Sequence, residues 1–155
     1  MKNTNALAVL GRFIFREFTP QGHLVKEWRT PNMVVNTGLA FLAGCLSGDE
    51  ADATVMKYVG VGTGTTAAAE ADTTLETPVE TRATGTPSRV TTDDTNDTYQ
   101  VVGTITMTGN RAITEVGIFS AASNGTLFSR SVFAAETVGS GNSLQVTYQC
   151  DFDRP

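Results

Sequence analysis

"SLQVTYQCDF", residues 143 to 152, alternates without a break: Leu144, Val146, Tyr148, Cys150 and Phe152 share one parity, and Gln145, Thr147, Gln149 and Asp151 share the other. Successive side chains of a strand point to opposite faces, so this segment turns one face to a core and the other to water or to a partner. Strands solvated on one side belong to antiparallel sheets, because parallel strands are covered on both faces and carry unbroken apolar runs. The same signature recurs upstream. "TYQVVGTITM" (98–107) alternates Tyr99, Val101, Gly103, Ile105 and Met107 against polar partners, and "SRVTT" (88–92) precedes it across the polar turn "DDTND". "AITEVGIFS" (112–120) and "TLFSRSVFA" (126–134) are joined by "AASNG", and the Gly/Ser-rich "ETVGSGN" leads into the last strand. Short alternating runs separated by turn residues predict hairpins.

The N-terminal third extends this pattern and then breaks it. In "ALAVLGRFIFREF" (6–18), Leu7, Val9, Phe13 and Phe15 share one parity; Ala8, Leu10, Ile14 and Phe18 share the other, interrupted by Arg12 and Arg16. This predicts a long strand buried on most of both faces. "TPQG" supplies a turn, and "HLVKEW" (23–28) returns as a second strand, completing a long N-terminal hairpin. In "NTGLAFLAGCLSG" (36–48) the period changes: Leu39, Leu42, Ala43 and Leu46 fall at i, i+3, i+4 and i+7, with Asn36 as N-cap and Gly48 as stop, which predicts one short helix at about 36–47. "TVMKYVGVG" (54–62) is again a strand. Residues 63–86, rich in Thr, Ala and Glu and containing Pro78, are expected to form a long loop, a kind of segment that is usually functional or mobile. The fold expected is mainly β: a single-domain antiparallel β-sandwich over 1–155, jelly-roll-like, with about seven or eight strands and one helix.

A chain of 155 residues buries about 70% of its unfolded surface and needs no metal or disulfide staple. Cys45 and Cys150 are too few for a disulfide framework, lack metal spacing, and are expected to be ordinary buried thiols. The start carries no signal-peptide pattern and no run approaches a membrane span, so the expectation is a soluble protein made in the cytosol, without a membrane partner. The net charge of −5 argues against a nucleic-acid partner. Its distribution is uneven: residues 1–48 carry +3 and residues 49–97 carry −7. Such a split suits solvated loops, or opposed faces of neighbouring copies in an assembly.

Little catalytic chemistry is encoded. In "YVGVGTGTTAAAEADTTL" (58–75) Gly60, Gly62 and Gly64 follow an apolar run, but no Gly-Lys pair exists for a phosphate loop. A dinucleotide fingerprint is matched by Gly62, Gly64 and Ala67, yet it would need a helix to open there within a strand-helix-strand unit. These glycines are therefore expected on or just beyond a strand, where another element approaches closely, and the loop that follows is expected to touch another chain. His23 stands alone beside a turn, no Cys/His cluster or HExxH occurs, and "DDTND" lacks the rest of a calcium loop. No cofactor, no metal and no enzyme activity are expected.

Three stretches, taken in order, resemble small virion structural proteins of tailed bacteriophages. "NMVVNTGLAFLAGCLSG" resembles their "N-x-V-x-N-x-G-L-x-x-L" segment. "YVGVGTGTTAAAEADTTLETPV" is similar to the "VGxGTGTT…A…DTxL…E" stretch that follows it. "ITEVGIFSAASNGTLFSRSVFA…SGNSLQVTYQCDF" looks like their closing strands, a pattern also met in tail-collar and fibre-attachment domains. The resemblance implies a non-enzymatic particle protein without a cofactor. Among such proteins the expectation is a capsid decoration, or cement, protein on the outer surface of the head, whose partners are the major capsid protein and other copies of itself. The alternatives are a tail, collar or fibre-attachment component, whose partners would be tail or portal-vertex proteins, or a receptor or carbohydrate-binding module. Contacts are expected from the first strand (Leu7, Val9, Phe13, Phe15, Phe18), from Trp28, from the helix (Leu39, Leu42, Leu46) and from the long loop (Thr65, Thr66, Leu75).

Overall fold

The computed structural model describes residues 7–48 and 55–153. Its alternating segments form two five-stranded antiparallel sheets, a β-sandwich. The first sheet runs in the order β2 (Leu24–Pro31), β1 (Ala8–Phe18), β10 (Ser143–Asp153), β7 (Thr98–Thr106), β6 (Thr86–Val90). The second runs β3 (Met33–Val34), β9 (Leu127–Val138), β8 (Arg111–Phe119), β4 (Tyr58–Gly62), β5 (Pro78–Thr84). Helix α1 (Asn36–Ser47) follows β3. Strand β1 is zipped along β10 from Ala8 opposite Asp153 to Phe18 opposite Ser143.

The alternation of the last strand is what builds the core. Leu144, Val146, Tyr148 and Cys150 are buried, and they meet Phe13 and Phe15 of β1 and Val59, Val61, Val116, Ile118 and Phe128 of the second sheet. Phe13 and Tyr148 pack with ring centroids 4.8 Å apart, and Trp28 stacks on Phe15 at 4.8 Å with nearly parallel planes. Aromatic pairs of this kind contribute about 0.5–1.5 kcal/mol beyond area burial. A smaller cluster of Val35, Leu75, Phe119 and Leu127 lies beside the main core.

The structure corrects the expected details in several places. Among the described residues ten strands form instead of seven or eight, because β3 is only two residues long and β5 lies inside the expected 63–86 loop. Proline hid β5: Pro78 opens it, just as Pro87 lies within β6 and Pro31 ends β2. All three strands are sheet edges, where a missing N–H costs no ladder bond. Glu80, at φ 59°, puts a bulge in β5, which twists that edge away from further pairing.

Strand β1 buries one face only: Phe13, Phe15 and Glu17 point inward, while Leu10, Arg12 and Arg16 are exposed. Glu17 is accommodated because its carboxylate accepts from the Gly139 N–H (3.0 Å) and the Asn142 amide (2.6 Å). In α1 the N-cap is Val35, with Asn36 the first helical residue, and Gly48 closes the helix in the left-handed conformation as expected. Cys150 is buried but Cys45 is exposed. Lys2, Asp49, Glu50 and Asp52 of the charge pattern, and Thr54 of the expected third strand, lie outside the described residues.

Candidate functional site

Gly62 at the end of β4 and Gly64 just beyond it pack against a carboxylate of the protein itself. Glu115 projects from β8 and is fully buried. Its carboxylate accepts from the backbone N–H groups of Gly64 (3.1 Å), Glu76 (3.0 Å) and Thr77 (2.7 Å), and from the Arg130 guanidinium on β9 (2.9 Å). A Cβ on Gly62 would sit 2.3 Å from the Glu115 Oε1 and 2.5 Å from the Thr77 carbonyl oxygen; one on Gly64 would sit 2.7 Å from the same Oε1. Gly60, Gly62 and Gly64 thus lie where expected, on a strand or just beyond it with neighbours in close approach.

Arg130 carries the network outward. It donates to Asp72 (2.7 Å) and to the Thr66 carbonyl (3.2 Å). Burial opposes its charge, but the Asp72 and Glu115 carboxylates outweigh burial and hold the guanidinium pKa above its ordinary value. Thr114 closes the set by donating to the Gly64 carbonyl at 2.7 Å. Residues 63–77 are therefore not a free loop, since a buried ion pair fastens them from beneath.

The fastened loop in turn sets the helix. The Asn36 N–H donates to the Glu70 carbonyl at 2.9 Å, and the Thr37 hydroxyl donates to the Leu127 carbonyl of β9 at 2.7 Å. The Gly38 side of α1 then faces β9, where a Cβ would lie 2.2 Å from the Phe128 carbonyl oxygen. The inward side of the helix runs through Gly38, Phe41 and Leu42, whereas Leu39, Ala43 and Leu46 of the expected stripe are exposed. A glycine carries no hydropathy signal, so the contact that fixes the helix rotation was invisible to a count of apolar residues.

This rotation leaves large apolar side chains in water. Leu46 is 91% exposed and Leu39 47%. Beside them an apolar groove of about 430 Å³ opens between α1 and the end of the first sheet. Phe41, Leu42 and Cys45 form its helical wall; Phe128 and Phe152 line it from the sheets and Met56 from the bend before β4. Arg89, Asn96 and Asp97 stand at its rim. Scattered apolar residues are normal on a surface, whereas a contiguous apolar face rimmed by polar groups marks an interaction site.

Of the residues expected to make contacts, the structure brings Leu39, Leu42 and Leu46 together at this face. Leu7 is also exposed, at the entry to β1. Val9 and Phe18 are half-buried, and Thr65 and Thr66 are exposed on the fastened loop. Phe13, Phe15 and Leu75 belong to the interior and are unavailable to a partner. Trp28 is half-buried against Phe15, with the Lys26 ammonium 4.9 Å from its ring centroid, so it presents no open aromatic platform.

Sequence reasoning missed Glu115, Arg130 and the groove lining. A signal for the first two existed: each is the lone charge of its sequence-read segment, Glu115 in 112–120 and Arg130 in 126–134. Among the described residues no group of His, Cys, Asp or Glu is placed to hold a metal ion, and no helix is long and apolar enough to cross a membrane.

Several carboxylates that hold turns titrate below their ordinary range. At Asp97 burial pushes the pKa up, but the backbone N–H groups of Asp94, Thr92 and Asp93 overcome it and hold the carboxyl well down. Asp72 is likewise raised by burial and brought below its ordinary value by the Ala69 N–H and Arg130. At Glu80 the Arg111 guanidinium and Thr108 outweigh burial in the same direction. A depressed folded pKa means that the unfolded chain takes up protons first as pH falls. The stabilisation is present above the ordinary carboxyl range near pH 4 and is lost as pH drops through the folded values. The urea midpoint at pH 3 is accordingly expected well below that at pH 7; equal midpoints would contradict this arrangement of charges.

No family model matches the chain, and no curated protein or solved structure matches it.

Proposed function

We propose that the chain is a non-enzymatic structural subunit of a tailed-phage particle: a capsid decoration protein that binds the assembled head beside the major capsid protein and other copies of itself. The observation that carries this reading is the exposed apolar face of α1 with its groove, on a chain whose aromatic core is otherwise closed. The motifs that resemble virion proteins supply the parts of that face. Asn32 donates to the Tyr148 hydroxyl (3.1 Å), Asn36 to the loop, and Gly38 seats the helix. The glycine stretch and Glu115 hold the loop against which α1 begins.

Such a protein acts by mass action. It binds the assembled shell and not its separated parts, so its binding free energy is added to the stability of the shell. The copy number follows the symmetry of the site occupied. Quantitative gel analysis of purified particles is expected to show on the order of hundreds of copies, in proportion to the major capsid protein. A few copies, or a few dozen, would overturn the head assignment in favour of a tail or collar position.

A further inference from the structure

We infer that the chain pairs with a second copy of itself about a twofold axis, with Leu46 of each copy seated in the apolar groove of the other. Knob and hole are carried by the same helix: Leu42 and Cys45 line the groove, and Leu46, the next residue, stands almost wholly in water. When a projection and its receptor share one patch, the two satisfy each other only if like patches face each other, which is an isologous contact that closes at two copies. On separate patches the same features would have built a ring or a filament.

The rim agrees with self-pairing. Arg89 has no ion-pair partner among the described residues, and it flanks the groove together with the acidic turn that ends in Asp97. A rim that carries both signs is complementary to a copy of itself turned through half a revolution. It suits an anionic lipid surface poorly, because exposed Asp93 and Asp94 lie on the same turn. Pairing of this kind is a property of the isolated chain and goes beyond the particle reading above.

Sedimentation equilibrium of the full chain tests it. The expected mass is twice 16.4 kDa, and Leu46→Lys is expected to weaken association roughly 30-fold or more, as at a central interface residue. Lysine is a strong helix former and its charge suits a helix C-terminus, so the variant is expected to keep the wild-type circular dichroism. Cys45 gives a second readout that does not depend on the variant. A short bismaleimide is expected to join Cys45 to Cys45 in the wild type, and buried Cys150, whose thiol pKa burial pushes up to about 11, is expected not to react. A monomer at all concentrations, a trimer or larger ring, or a dimer that survives Leu46→Lys would overturn the pairing. So would a monomer that uses Leu46 to bind phage heads or lipid vesicles, which would assign the face to that partner. None of these outcomes alters the copy-number test.

Discussion

Glu115→Ala is expected to cost about 3–5 kcal/mol of folding stability, the range for removing one partner of a buried ion pair. For a chain of this size that lowers the melting temperature by roughly 10–15 °C. The reason goes beyond the lost attraction to Arg130. The carboxylate is the acceptor for the N–H groups of Gly64, Glu76 and Thr77, and alanine leaves these donors and the buried Arg130 Nε–H without an acceptor together, although Asp72 and the Thr66 carbonyl still hold the rest of the guanidinium.

A double variant separates the two contributions. Where a buried pair serves only itself, replacing both members is often nearly neutral. Here Glu115→Ala with Arg130→Ala is expected to remain about as unstable as the single variant, because the loop amides still lack their acceptor. Hydrogen exchange at the Glu76 and Thr77 amides is expected to quicken in both. Full recovery in the double variant, or an unchanged melting point in the single one, would show that the loop is held by something other than Glu115.

The strands that could be read from the sequence were those whose burial has a period of two, notably β7 and β10, together with the turns between them. The edges were not legible, for a physical reason. An edge strand such as β5 has neither an apolar face to advertise nor a need for every backbone N–H, so Pro78 and a run of Thr, Glu and Arg suit it. A reader who treats proline as a breaker then sees a loop. The helix was legible as an element and misread in rotation, since its decisive contact is made by a residue without a side chain.

The candidate surface was half legible for the same reason. Leu39, Leu42 and Leu46 carry an ordinary helical signal, but Phe128 and Phe152 reach the groove from distant strands and Met56 from the bend before β4, and only the folded chain brings them together. Phe13 and Phe15 show the opposite error. Strand phasing marks a residue as buried without saying whether the chain or a partner buries it, and in β1 the chain itself does so.

Gly38→Ala is the second change with a large expected effect, and its sign opposes helix propensity. In an exposed helix interior alanine is better than glycine by about 1 kcal/mol. At residue 38 the added methyl would meet the Phe128 carbonyl oxygen at 2.2 Å, a backbone atom of β9 that cannot rotate away. That oxygen also accepts the Val35 N–H at 3.2 Å, so any shift of the helix strains the bond at its entry. A net loss of about 1–3 kcal/mol is expected, the range for overpacking a close contact. Ala40→Gly, the reverse exchange at an exposed position of the same helix, calibrates the propensity contribution. Urea unfolding of the two variants is expected to show both less stable than wild type, with Gly38→Ala the lower. Because α1 carries Leu42, Cys45 and Leu46, lifting its first turn also changes the shape of the groove, and dye binding to apolar surface is expected to rise in Gly38→Ala but not in Ala40→Gly. A Gly38→Ala chain as stable as wild type would mean that α1 does not rest on β9 at this point, and the groove would then lose the rigid wall on which both its shape and the seating of Leu46 depend.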